Sequence, residues 1–381
     1  MSSLLVDRIG RLVSWDAEAP SSDAALVLAE GRVVWSGPRT QAPPCDRRLD
    51  ADGGCVLPGF VDSHTHLVFG GDRAEEFQAR LAGAAYAAGG IATTVAATRA
   101  TPTAELARRA HRLADEALRS GTTTLEVKSG YGLTVADELR CLQAAAAVTP
   151  HRTLLGAHVV PDGTTAAEYV DLVAGPMTAA CAGQATGVDA FCERGAFDAE
   201  QCRQVLLAGA ALGLTVHVHA NQLRPGPGAQ LAAALGAASA DHCTHLGDGD
   251  LTALRDADVT AVLVPAAEFS TRSVYAPARR LLDAGVTVAL ATDCNPGTSF
   301  TTSMPFVIAV ACRELGMSPS EAVRAATLGG ASALRQDEVG HLRPGARADL
   351  IVLDAPAESW LAYRPGVDLL RHVVRDGELV R

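Results

Sequence analysis

Eight short apolar runs, each able to form a strand, recur through the middle of this chain, at residues 56–62, 122–128, 152–160, 188–192, 215–220, 239–244, 259–265 and 286–292. Most are followed by an Ala/Leu-rich stretch with helical spacing, for example 103–119, 165–180, 198–212 and 251–257. Strands that alternate with helices pair in parallel, because each crossover helix returns the chain to the same end of the sheet. Eight of them suit a (β/α)8 barrel. A doubly wound open sheet is the competing architecture, but no Gly-x-Gly-x-x-Gly opens the first helix, which disfavours its dinucleotide-binding form.

The two ends read differently. Residues 4–13, 24–35 and 54–57 look like short strands, with turns at Glu30-Gly31 and Ser36-Gly37-Pro38. Residues 348–354 and 370–380 repeat this character, with a hairpin turn at Asp376-Gly377. The expectation is one small β-sandwich assembled from 1–57 and 340–381 around a barrel of 58–339. A length of 381 residues fits a barrel of roughly 250 with such an appendage.

Composition narrows the class. A hydrophobic share of 48% supports a large core, and a net charge of −11 argues against a nucleic-acid partner, which calls for a basic face. No basic stretch precedes an apolar run at the N-terminus, and the Ala-rich stretches are broken by Arg, Asp or Gly, so neither a signal peptide nor a membrane span is expected. The nine cysteines are scattered with no Cys-x-x-Cys, which fits reduced thiols and a cytoplasmic location. Cys294 stands beside Asp293 without an evident base partner and reads as a packing residue rather than a nucleophile.

In a barrel of this kind the C-terminal strand ends carry the chemistry. Read in order, those ends give His64 and His66, Glu126 and Lys128, His158, Glu193, His217 and His219, His242, then Asp293. In an extended strand, residues two apart share a face, so His64 and His66 can converge on one ion. His219 lies nearer the mouth than His217, which is expected one layer deeper and hydrogen-bonded in the core. His64, His66, His219 and Asp293 then make a set of three nitrogens and one carboxylate with an open position for water. Such a set suits zinc or iron, one divalent ion per subunit, and the carboxylate can also take a proton from water. His111, His151, His245, His341 and His372 fall on helices, loops or the β-domain and are given no site role.

These residues together resemble the amidohydrolase superfamily. The segments 127–133 (Val-Lys-Ser-Gly-Tyr-Gly-Leu), 156–161, 239–242 and 291–299 (Ala-Thr-Asp-Cys-Asn-Pro-Gly-Thr-Ser) narrow the resemblance to the imidazolonepropionase family. It spans the barrel and the β-domain tail, including 342–350. The resemblance implies metal-dependent hydrolysis of the cyclic amide C–N bond of a small-molecule substrate, 4-imidazolone-5-propanoate, giving N-formimidoyl-L-glutamate in histidine degradation. It carries Arg73, Tyr131, His158, Gln222, Asn295, Gly297 and Thr298 to substrate-contact positions, and it makes Asp293 and His242 the proton-handling pair. It is compatible with a single chain or a homodimer.

Two departures stand out. Some members of the family have Glu where Gln222 stands, so a carboxylate is absent there and proton transfer falls to Asp293 and His242. The stretch 81–90 also looks shorter than is usual in the family. The competing readings are another cyclic amidohydrolase or a deaminase acting on a different heterocycle, and a metal-free barrel kept as a scaffold. Intact His64, His66, His219 and Asp293 argue against the scaffold.

Overall fold

Pro58-Gly59 divides the first apolar run into two strands that serve different sheets. Cys55–Pro58 joins the β-sandwich and Phe60–Asp62 joins the barrel. The single run expected over 56–62 is therefore broken. At the break Gly59 donates its N–H to the Asp349 carbonyl, and a Cβ there would come within 2.2 Å of the Thr123 hydroxyl. The structure, a computed structural model, describes residues 3–83 and 90–381. Most of the segment expected to be short, 81–90, thus lies outside the described residues.

The barrel strands are β1 (Phe60–Asp62), β2 (Thr122–Lys128), β3 (His151–Ala157), β4 (Gly187–Cys192), β5 (Thr215–Ala220), β6 (Ser239–His242), β7 (Thr260–Leu263) and β8 (Val288–Leu290). They form one eight-stranded sheet in sequence order, and each neighbouring pair is parallel. The ends meet just past β1 and β8, where Thr65 and Cys294 form a parallel bridge. The His66 N–H donates to the Cys294 carbonyl and the Asp293 N–H to the His64 carbonyl, each at 3.0 Å. Asp62 adds a clamp, accepting from the Thr292 N–H and hydroxyl. An open doubly wound sheet is excluded by this closure.

Helices occupy the crossovers where the spacing predicts them. Thr103–Arg119 buries Leu106, Ala110, Leu113 and Ala117, an i, i+4, i+7, i+11 stripe facing the sheet. Asp198 caps Ala199–Ala210 by accepting from the Glu200 and Gln201 N–H groups, which fixes its start. The helix expected over 165–180 is interrupted. Pro176 lacks an N–H, and the chain runs as Ala166–Leu172, a wide π turn Val173–Met177, and Thr178–Cys181.

The β-sandwich draws on both ends of the chain. One sheet pairs Arg32–Pro38, Ala24–Ala29, Leu4–Ile9 and Arg47–Asp50; the other pairs Glu378–Leu379, Leu370–Arg375, Leu350–Leu353, Cys55–Pro58 and Arg11–Leu12. Leu26, Leu28 and Val33 from the first meet Val56, Leu350, Val352 and Val374 from the second in one apolar core. The strand Arg47–Asp50 has no counterpart in the sequence reading, because only one of its four residues is buried. Among the described residues no helix is long and apolar enough to cross a membrane.

Candidate metal centre and pocket

His64 and His66 fall beyond β1 rather than within it, and the Thr65–Cys294 bridge keeps the chain extended so that both imidazoles turn to one side. Both are buried, and each Nε2 lies 3.5 Å from Asp293 Oδ1. Ligand atoms about 2.1 Å from a tetrahedral ion stand ~3.4 Å apart, so these separations suit a shared cation. His64 Nε2 has no hydrogen-bond partner although it is wholly buried, an arrangement that costs energy unless something else satisfies the lone pair. His219 and His242 complete a second trio around the same His64, and the ligand atoms of each trio lie within 4.8 Å of one another.

Carboxylates brace two of the rings from behind. His64 Nδ1 donates to Asp241 Oδ2 at 2.7 Å and His219 Nδ1 to Asp189 Oδ2 at 2.9 Å. A carboxylate only accepts, so each Nδ1 carries the hydrogen and each Nε2 lone pair is turned toward the centre. His242 has no such brace among the described bonds, which separates it from His219. His217, one layer deeper on β5, bonds Ser239 Oγ at 2.9 Å in the core, as its position predicts. The donor set of imidazoles and one carboxylate is thus able to hold a divalent ion.

Beneath lies a group the sequence reading left without a role. Lys128, with no exposed surface, sits 3.0 Å from Glu126, 2.9 Å from Asp189 and 3.3 Å from Asp241. Burial opposes its charge, but the three carboxylates outweigh that and raise its pKa. One cation against three acids leaves excess negative charge below the imidazoles, which favours a further cation above. Asp189 was missed altogether; the signal was an acid inside the apolar strand Gly-Val-Asp-Ala-Phe-Cys, where no solvent reaches.

Burial dominates the titration of the centre. It holds His64, His66 and His242 well below the usual imidazole range and His158 down to about 4, so these rings are neutral at pH 7. It pushes Asp293 up to about 7, a value a bound cation would bring down again. His219 is an exception: burial lowers it, but Asp189 overrides burial and raises it. Asp293 and His242 also hold left-handed backbone, φ 49° and 72°, unusual for residues with a Cβ and frequent at working sites.

Of the residues expected in the site, all but His64 and Gly297 line one cavity of about 130 Å³, a size for a small heterocycle rather than a polymer. His64 lies beneath its floor. Gly297 sits off the cavity under Arg73, where a Cβ would come within 2.2 Å of Nη1. Arg73 spends its Nε–Nη2 edge on a bidentate bond to Glu76, at 2.7 Å on each arm. His158 donates Nδ1–H to the Gly130 carbonyl, leaving Nε2 as an acceptor. Tyr131 is buried beside it, rings 5.5 Å apart. Asn295 is committed to its own loop, donating to the Asp293 carbonyl and Thr298 hydroxyl and accepting from the Gly297 and Thr298 N–H groups. Cys294 is wholly buried and burial raises its thiol pKa well above the ordinary value, which fits packing and not nucleophilic attack.

Comparison with known proteins agrees with this geometry. The model of the Amidohydrolase family matches residues 55–380. An imidazolonepropionase from Salinispora tropica is 61% identical over 99% of this chain and 98% of its own, and one from Mycolicibacterium smegmatis is 59% identical over 100% and 98%. Among solved structures, a triazine hydrolase from Arthrobacter aurescens superposes with a TM-score of 0.78 at 18% identity, over 100% of this chain and 94% of its own, a likeness of fold. The chain therefore belongs to the amidohydrolase family and, within it, to the imidazolonepropionases.

Proposed function

We propose that this chain hydrolyses 4-imidazolone-5-propanoate to N-formimidoyl-L-glutamate, opening the cyclic amide at its C–N bond in the degradation of histidine. The observation that carries the reading is the convergence of His64, His66 and Asp293 on one point at the floor of a small pocket, in a chain 61% identical to an imidazolonepropionase. We assign His64, His66, His219 and Asp293 as the ligands of one zinc or iron ion. When bound, the ion supplies Lewis acidity, lowering the pKa of water toward ~7 and polarising the ring carbonyl.

Asp293 takes the proton of the attacking water, whose oxygen bonds the ring carbonyl carbon. His242, a neutral imidazole facing His64 and His219 at ring distances of 5.3 and 5.2 Å, donates an N–H to the oxygen that becomes negative. His158 offers Nε2 to a ring N–H, and Gln222 offers its amide to the ring. The Nη1 side of Arg73 and the Tyr131 hydroxyl receive the propionate. Over the cycle the departing ring nitrogen gains one proton and Asp293 gives up the one it took, so one water is consumed. The nine unpaired thiols suit this work to the cytoplasm.

The test is a steady-state assay with imidazolonepropionate before and after chelation. Loss of imidazolone absorbance without ammonia, abolished by the chelator and restored by zinc or iron, is the expected result. Ammonia release would assign a deaminase instead. Less than about half an equivalent of ion in protein purified without chelator would favour a scaffold.

A further inference from the structure

A second, smaller cavity of about 40 Å³ shares Gln222, His242 and Thr298 with the reaction pocket, and Glu268 adds a carboxyl to its wall. Glu268 sits on the helix Pro265–Thr271 directly after β7 and is only 4% exposed. Its Oε1 accepts from the Thr244 hydroxyl at 3.0 Å, whereas Oε2 is buried with no hydrogen-bond partner. A buried carboxyl with one idle oxygen calls for an explanation, since such atoms are almost always satisfied by protein or ordered water. About 40 Å³ is room for water and too little for the substrate. The wall has the two to four polar partners that a buried water needs. One of them, the Thr298 hydroxyl, lies 3.4 Å from Asp293 Oδ2.

We propose that Glu268 is a positioning residue for proton transfer, passing a proton through one water in this side cavity to the ring nitrogen as the C–N bond breaks. This rests on the imidazolonepropionase reading. The attacking water gives one proton to Asp293 and bonds the ring carbon through oxygen. The electron pair of the broken C–N bond takes the proton that comes from Glu268 by way of the side-cavity water. Asp293 then returns its proton to Glu268 along the Thr298 hydroxyl and the same water, which restores both carboxyls. Burial pushes the Glu268 carboxyl up to about 8, so it enters the cycle protonated. The side chains facing it from other elements are Thr244, neutral Gln222 and neutral His242, with the Asp293 charge nearby. Gln222 cannot exchange a proton, which leaves Glu268 as the carboxyl on this side of the pocket.

The experiment compares Glu268→Gln with Glu268→Asp in the metal-loaded enzyme, wild type alongside. A proton relay predicts that kcat falls at least ~10-fold in Glu268→Gln, with KM within about twofold and metal content unchanged. It also predicts that Glu268→Asp, shorter yet able to carry a proton, outperforms Glu268→Gln. A merely structural role predicts the reverse order, because Gln keeps the size and the Thr244 bond. Wild-type kcat in Glu268→Gln, or Gln outperforming Asp, overturns the proposal. Should either variant fail to fold, Thr244→Val decides: a several-fold drop in kcat at constant KM upholds the relay, and wild-type kcat overturns it. Wild-type enzyme inert toward imidazolonepropionate would instead sink the underlying assignment.

Discussion

In the β-sandwich, Leu26, Leu28, Val56, Leu350 and Val352 interlock as apolar side chains between two sheets. At the barrel mouth the same degree of burial is given to His64, His66, Lys128, Asp189, His219, Asp241, His242 and Asp293, none more than 3% exposed. Apolar packing is non-directional and grows with area, so a sandwich residue contributes through its bulk. Buried charges cost energy unless each has a partner in good geometry, so every mouth residue depends on named neighbours. The sandwich should therefore fail by losing stability, and the mouth by losing ion and turnover while the fold survives.

The sharpest way to break this contrast is Asp293→Asn, which removes both the charge of a proposed metal ligand and the proposed proton acceptor. We expect kcat to fall by ~10³-fold or more with the circular dichroism spectrum unchanged; full turnover in that variant would remove Asp293 from the mechanism. On the other side, Leu350→Ala should cost about 2–5 kcal/mol in denaturant unfolding. Its kcat per folded molecule should stay within about twofold, because Leu350 packs in an apolar cluster separate from the barrel core; a large kcat loss would mean that the two regions are coupled.

Asp189→Asn probes the layer between ligand and core. The amide can still accept from His219 but no longer balances Lys128, so metal affinity should drop ~10–100-fold in a chelator competition. Unchanged retention would show that the brace is dispensable. The smallest effect belongs to neither region. The Glu321 carboxyl is held down to about 2, first by its bond to Arg279 and then by the Ser318 N–H. A lowered folded-state pKa gives stability that is present above the unfolded value, 4.5, and lost as pH falls toward 2. Because the pair lies at the surface, Glu321→Gln should cost only a few tenths of a kcal/mol at pH 6, narrowing by pH 3 in parallel melting curves. A gap that widens toward acid would reverse the sign.

Local pattern carried the architecture. The eight apolar runs, the helical stripe of 103–119 and the hairpin turns at Glu30-Gly31 and Asp376-Gly377 are statements about neighbours within a dozen residues, and period and turn chemistry decide such segments. Ser36-Gly37-Pro38, read as a turn, lies instead in the strand Arg32–Pro38, because its pairing with residues 24–26 is set by a neighbouring strand. His64 and His66 were legible from local pattern as well, as two imidazoles one residue apart, and the strand-end positions of His219, His242 and Asp293 followed once a barrel was counted. Sequence alone therefore pointed to an eight-stranded α/β barrel with a β-domain from both ends and ligand-type side chains at its strand ends, while closure of the sheet was decided by the Thr65–Cys294 pairing.

What tertiary structure decided is which groups touch. His64 is braced by Asp241, 177 residues away, and Lys128 reaches Asp189 and Asp241 on two other strands, pairings that no spacing rule encodes. Arg73 proves to be held by Glu76, Asn295 to be spent on its loop, and Glu268 to stand beside the pocket with an idle oxygen. Each is an outcome of where the closed sheet brings side chains in a medium of low polarity. There the energy of a charge depends on the few atoms that reach it, and chain order does not reveal them.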